Sequence, residues 1–317
     1  MEWRIGAVEN MGNVTVSVLM LTYNRETMVS RAIDSILHQT FRDFEFVIVD
    51  NGSDDRSGII ADEYAARDHR VRVIHRARGS IGAGRNTALD AVRGKYLTFI
   101  DDDDWVESDF LEFLVDLIEE EQADMAICGV TDRVYDEKKV MTTEEALIEL
   151  MWRKKYSVGF PAKLIRSDKM KHLRFPEDVV YDDIALMYRL LAECNRVAYY
   201  GQLKYNIYRH TGNNSAWSTN HKLLTPQTLQ EYLDAYRIRT EWLSEKFPNS
   251  ARAFQYFEWS FMISMVEKIT RLGIETCKTQ EQQMREALFQ NKDLFLTSPE
   301  IQAFEQKWMR QYILVDE

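Results

Sequence analysis

The chain has 317 residues, 45% of them hydrophobic and 12% aromatic, which is enough for a substantial core and excludes global disorder. A net charge of −11 excludes a general nucleic-acid binder. Cys128, Cys194 and Cys277 stand far apart without CxxC spacing, so neither a disulfide framework nor a zinc site is suggested.

Val14 to Leu21 is a continuous, β-branched apolar run, which predicts a strand buried on both faces. It stops at Thr22-Tyr23-Asn24-Arg25. Met28, Ala32, Ile33, Ile36 and Leu37 then recur at helical spacing. Phe44 to Val49 predicts a second buried strand, ending in Asp50-Asn51-Gly52-Ser53-Asp54-Asp55. A helix from about Ser57 to Ala66 precedes a third strand at Val71 to Ile74, and another helix opens near Gly82-Ala83-Gly84-Arg85-Asn86. Tyr96 to Ile100 predicts a fourth strand that runs straight into Asp101-Asp102-Asp103-Asp104. This alternation predicts an α/β fold with a doubly wound, parallel sheet, whose ligands bind at the carboxyl ends of the strands. Each of the polar clusters named so far lies at such an end.

Beyond it a helix is expected from Ser108 to Glu121 and a strand around Met125 to Cys128. Val158 to Arg209 reads as irregular α+β with a helix near Ile184 to Glu193, and the pattern is helical from about His221 onward. The segment Phe254 to Ile269 carries Phe254, Tyr256, Phe257, Trp259 and Phe261 and is expected to be buried.

Four adjacent carboxylates after a buried strand repel one another unless a cation neutralises them, and hard oxygen ligands suit Mg²⁺ or Mn²⁺. A helix N-cap would need one Asp, not four, and Asp104 is expected to do no more than cap the next helix. Asp50 and Asn51 read alone as a strand-ending turn; at this sheet edge their side chains can also accept from a base N–H or a ribose hydroxyl. Gly82-x-Gly84-Arg85-Asn86 lacks the third glycine of a dinucleotide fingerprint and reads as a helix-start anion site with an arginine. Tyr181-Asp182-Asp183 is either an acidic first helical turn or the source of a general base. His210 is a loop histidine or a further metal ligand.

Taken in order, Val-Ser-Val-Leu-Met-Leu-Thr-Tyr-Asn-Arg, His-Gln-Thr-Phe-Arg-Asp-Phe-Glu, Val-Asp-Asn-Gly-Ser-Asp-Asp, Gly-Arg-Asn-Thr-Ala and Phe-Ile-Asp-Asp-Asp-Asp-Trp resemble the successive blocks of glycosyltransferase family 2. Phe175-Pro176-Glu177, Tyr181-Asp182-Asp183, and Tyr208-Arg209 with Ser215 resemble its acceptor-side blocks. The resemblance covers residues 14 to 217. It implies the type A glycosyltransferase fold, with a mixed sheet flanked by helices, and an inverting, metal-dependent transfer from a nucleotide sugar. By motif position it places Tyr23 on the base, with Thr22 and Asn24 shaping the pocket and Asn51 where an Asp commonly accepts the uracil N3–H. Arg85 would meet the diphosphate, Asp101 or Asp102 the ribose, and Asp103 the metal, supported by Asp101. Asp183 matches the catalytic base, and Asp182 stands where the family usually has Glu. Lys163 and Arg209 are acceptor or phosphate contacts.

The expectation is therefore a catalytic domain at residues 1–217, a helical region at 218–317, Mn²⁺ or Mg²⁺ as cofactor, and no nucleic-acid partner. The donor would be a nucleotide sugar, with UDP preferred, and the acceptor a saccharide or lipid-linked saccharide. A cytoplasmic protein is expected, since Met1 to Asn13 holds no apolar leader and no stretch approaches the ~18 apolar residues of a membrane span. Docking at the inner face of the membrane, homodimerisation and packing on the catalytic domain are three uses open to the aromatic segment. Two rivals are a nucleotidyltransferase, which would need a glycine- and basic-rich loop after the first strand, and an inactive sugar-nucleotide-binding module.

Overall fold

The computed structural model describes residues 14–179, 181–210 and 224–314. Among them the chain divides into two compact units, Met1–Tyr208 and Arg209–Glu317; the sequence had placed the division at residue 217.

In the first unit, β1 (Val16–Thr22), β2 (Phe44–Asp50), β3 (Val71–His75) and β4 (Tyr96–Asp101) are joined by helices α1 (Val29–Leu37), α2 (Ser57–Ala65) and α3 (Ile81–Asp90). β1 pairs in parallel with β2 and β4, and β2 with β3, giving the order β3-β2-β1-β4. β1 and β2 are apolar on both faces because helices cover both sides of a parallel sheet; Val16, Val18, Leu19, Met20 and Phe46 to Val49 are all fully buried. α1 contributes Val29, Ala32, Ile33 and Ile36, an i, i+3, i+4, i+7 stripe, to the same core.

Past β4 the sheet becomes mixed. β5 (Trp105–Val106) and α4 (Phe110–Glu120) lead to β6 (Met125–Val130), β7 (Lys138–Thr142) and α5 (Thr143–Trp152). β8 (Lys163–Arg166) lies antiparallel between β4 and β6, so it joins the parallel part to the rest. After α6 (Ser167–Met170) and α7 (Asp182–Leu191), the eleven-residue β9 (Arg196–Asn206) pairs in parallel with β6 and antiparallel with β7 and β5. Its register against β6 shifts at Cys128 to Val130, and the irregularity delivers Tyr205 and Asn206 to β5. The four alternating strands are parallel as expected, and the whole is a nine-stranded mixed sheet, as the type A fold implied.

The second unit is helical where it is described. Helix Pro226–Lys246 starts on a Thr225 cap that accepts from the Thr228 N–H, with Pro at the first position. Helix Ala251–Leu272 ends at Gly273, whose φ of 64° is the left-handed stop a glycine supplies without strain. The aromatic segment is buried inside this unit: Phe261 stacks on Tyr236 at 4.2 Å, and Tyr256 and Trp259 pack on Phe295. Buried Glu305 closes the core by accepting from the Tyr256 and Ser260 hydroxyls. No helix among the described residues is long and apolar enough to cross a membrane.

Candidate functional site

The carboxyl ends of β1, β2 and β4 bring three loops together. Asn24 adopts a φ of 52°, a left-handed conformation that Asn tolerates better than most residues. It donates its N–H to Ser53 Oγ at 3.1 Å and accepts the Asp54 N–H at 2.9 Å, which ties the first loop to the second. Thr22 is buried just before the turn. Tyr23 donates its N–H to Asp102 Oδ2 at 3.2 Å, and the Arg78 guanidinium covers one face of its ring at 4.6 Å.

The two side chains at the end of β2 are already engaged. Asp50 accepts the Ser53 N–H at 3.0 Å and lies 3.0 Å from His75 Nδ1, while His75 Nε2 lies 3.0 Å from Asp62. Held between two carboxylates, His75 titrates above its ordinary value. Asn51 donates to the Gly79 carbonyl at 2.9 Å, and its Oδ1 accepts from Arg76 at 2.7 Å and from the Gly79 N–H at 3.3 Å. Arg76 and Arg78 escaped the sequence reading. Their only signal was two arginines immediately after the third strand.

The four aspartates diverge in environment. Asp102 is buried under the first loop, with the Arg25 guanidinium 3.7 Å away. Asp104, expected at most to cap the next helix, accepts from the Tyr208 N–H at 2.7 Å and the Tyr205 hydroxyl at 2.8 Å instead. That is a correction. The bulged end of β9 reaches the loop, which no local pattern at Asp104 announces. Tyr205 also accepts the Asp101 N–H at 3.1 Å. Arg31 holds the Asp103 carbonyl at 2.5 Å, with its guanidinium between the rings of Trp105 and Tyr208.

Loss of hydration, with repulsion from neighbouring carboxylates, pushes Asp102 up to about 7 and Asp104 to about 8 and also raises Asp101, though its side chain stays about half exposed; Arg85 opposes the shift at Asp101 and Arg25 at Asp102. Tyr205→Phe is expected to lower stability by about 1–3 kcal/mol, because buried Asp104 and the Asp101 N–H both lose a partner. Chemical denaturation with an unchanged slope against denaturant would register it.

Arg85 joins this loop to the far side of the site. Its guanidinium lies 2.5 Å from Asp183, 3.0 Å from Asp182 and 3.9 Å from Asp101. Asp182 and Asp183 form the first turn of α7, where the helix N-terminus favours negative charge. Removal from water raises Asp183 to about 6, against the attraction of Arg85. Ringed by carboxylates, Arg85 is held above its ordinary value in spite of its burial.

Lys163 does not reach solvent. It is 2% exposed, its ammonium donates to the Gly159 and Pro161 carbonyls, and burial lowers it to about 8. Arg209 and His210 open the second unit. Thr211 to Asn214 and Ser215 lie outside the described residues.

Chemically, the arrangement offers hard oxygen donors at Asp101 and Asp103, aromatic and amide groups at the ends of β1 and β2, and a carboxylate of raised pKa opposite them. Among the described residues no three carboxylate, histidine or cysteine groups are placed to hold a metal alone. Burial, together with repulsion from Asp103, raises Asp101, Asp102 and Asp104, a strain that a bound cation relieves. Such a loop fits a divalent ion bound through one or two carboxylates together with phosphate oxygens of a ligand.

The model of a family described as glycosyl transferase family 2 matches residues 17–194 of the chain. An uncharacterized glycosyltransferase of Bacillus subtilis (strain 168), EpsJ, is 45% identical over 114 residues, which is 36% of this chain and 33% of that protein. The chain thus spans about a third of that relative's length in the match. The crystal structure of S. aureus TarS 1-349 in complex with UDP-GlcNAc superposes with a TM-score of 0.59 at 18% identity, over 86% of this chain and 92% of that one. A mannosyltransferase from Pyrobaculum calidifontis, in complex with GDP-Man and Mn²⁺, gives 0.54 at 16% identity over 96% and 86%. At these identities the two structures establish the fold.

Proposed function

The chain belongs to glycosyl transferase family 2, and from that premise we propose an inverting, metal-dependent transfer of a sugar from a nucleotide sugar to a saccharide or lipid-linked hydroxyl. In our reading the donor is a UDP-sugar. The observation that carries the proposal is that Asp183 and the aspartate loop meet on one guanidinium, Arg85, although about eighty residues of chain separate them.

The nucleotide lies over the carboxyl ends of β1 and β2, with Tyr23 against the base, Thr22 and Asn24 shaping its pocket and Asn51 at the base edge. Asp102 or Asp101 takes the ribose. Asp103, with Asp101, holds the divalent metal, which when bound supplies positive charge opposite the leaving diphosphate. Cleavage passes through an oxocarbenium-like transition state. Asp183 removes the proton of the acceptor hydroxyl as its oxygen bonds to the anomeric carbon. The glycosyl–diphosphate bond breaks on the opposite face, so the proton ends on Asp183 and the electron pair on the diphosphate. One carboxylate acting as base, with direct displacement of the diphosphate, supports inversion.

Asp183 must be ionised to act. Because its folded value is raised to about 6, kcat/KM is expected to fall roughly tenfold per pH unit below that value and to reach a plateau above it. A pH–rate profile at sub-saturating donor checks this; a flat profile down to pH 5 excludes Asp183 as the base. The overall proposal is tested by hydrolysis of UDP-, GDP- and dTDP-sugars with Mn²⁺. If no donor is turned over or bound, the transferase reading is lost.

A further inference from the structure

Gly82-Ala83-Gly84-Arg85-Asn86 read from sequence as an anion site, but its contacts point elsewhere. The start of α3 presses against Phe175 to Glu177. A Cβ on Gly82 would overlap the Pro176 carbonyl, so that carbonyl can approach only a glycine. One turn later, Asn86 pairs with Phe175 as a neighbouring strand would. Its Oδ1 accepts the Phe175 N–H at 2.9 Å and its Nδ2 donates to the Phe175 carbonyl at 2.9 Å. The same Nδ2 donates to Glu177 Oε1 at 2.9 Å.

Between these two contacts Arg85 packs over the Phe175 ring at 5.3 Å and reaches Asp182 and Asp183. Gly84 seats the helix on β1, since a Cβ there would strike the Leu21 side chain. The helix start is also partly occupied, because Ser80 Oγ accepts the Ala83 N–H at 3.2 Å. An arriving diphosphate would find Arg85 already opposite three carboxylates.

We propose that this motif is a clamp that positions the acceptor base: Gly82 and Asn86 fix Phe175 to Glu177, Arg85 holds Asp182 and Asp183, and Arg85 is a positioning residue rather than a diphosphate ligand. The inference rests on the reading of Asp183 as the base. It links the parallel, nucleotide-side half of the sheet to the carboxylate that acts on the acceptor.

The test compares the full chain with Arg85→Ala, Arg85→Lys and Asn86→Ala, using UDP and UMP with Mn²⁺ as calorimetric probes, steady-state turnover, and hydrogen exchange over residues 175–191. In Arg85→Ala, UDP and UMP affinities are expected to stay within about threefold of wild type, while kcat falls about 100-fold at unchanged donor KM. Arg85→Lys restores part of kcat, because one cation still faces the two carboxylates. Asn86→Ala lowers kcat by about tenfold and speeds exchange over residues 175–191. A loss of UDP affinity of about tenfold or more with UMP binding intact would make Arg85 a diphosphate ligand and overturn the clamp. Unchanged exchange in both Arg85→Ala and Asn86→Ala would overturn it too. If wild type binds neither nucleotide, the donor assignment fails, and the exchange measurement alone decides the clamp.

Discussion

Asp183→Asn is expected to lower kcat by about 10³-fold while leaving nucleotide affinity unchanged, a loss of about 4 kcal/mol of transition-state stabilisation. The substitution keeps the size of the side chain, and an amide oxygen can still accept from Arg85, which lies 2.5 Å from the carboxylate. What disappears is the capacity to take a proton. Asp182 is poorly placed to substitute, since its carboxylate accepts from Arg85 and from the Asp183 N–H and its residue is only 5% exposed. Steady-state rates with the donor identified in the sugar panel, together with UDP calorimetry, separate the two effects. A decrease smaller than about threefold would remove Asp183 from the reaction.

The second large effect concerns Asp103. Asp103→Ala, or chelation of the wild type, is expected to reduce turnover by about 10²- to 10³-fold and to abolish the metal-dependent part of UDP binding. Motif position singles out Asp103 within the run. Asp104 already accepts from Tyr205 and Tyr208, and Asp102 from the Tyr23 N–H with Arg25 close by. Asp101 keeps its side chain about half exposed beside Arg85, which suits a supporting ligand. Thermal shift with UDP, with and without Mn²⁺, reads the coupling directly, because only ligand bound to the folded state stabilises it. Added Mn²⁺ should rescue the chelated wild type and fail to rescue Asp103→Ala. Equal shifts in the two proteins would assign the metal elsewhere.

The parallel part of the fold was legible because its strands are buried on both faces and so read as apolar runs. β1 to β4 were all expected within a residue or two of their observed ends. β7, with the sequence KKVMT, shows no such run, β9 has only Val197 to Tyr200 before Gly201 and Gln202 interrupt it, and β5 has only two residues. Their pairing is decided by neighbours distant in sequence. α5 was missed although Thr142 and Glu145 form a capping box, a signal the sequence does contain.

The site follows the same division. That Asp101 to Asp104 and Asp183 matter could be argued from residue type and position at element ends. That Arg85 pairs with Asp182 and Asp183, that Asp104 is held by β9, and that Asn51 is engaged by Arg76 and Gly79 could not. Each joins side chains through folded space, and a single sequence carries no record of such pairing.

The antiparallel insertion of β8 between β4 and β6 bears on how the protein is made. Until residues 163–166 emerge during synthesis, β4 offers an open, strongly apolar edge, the kind of template that recruits strands from other chains. The nucleotide-side half therefore cannot be completed and protected on its own as it leaves the ribosome. That edge stays open until a four-residue strand from the acceptor-side half arrives to cover it.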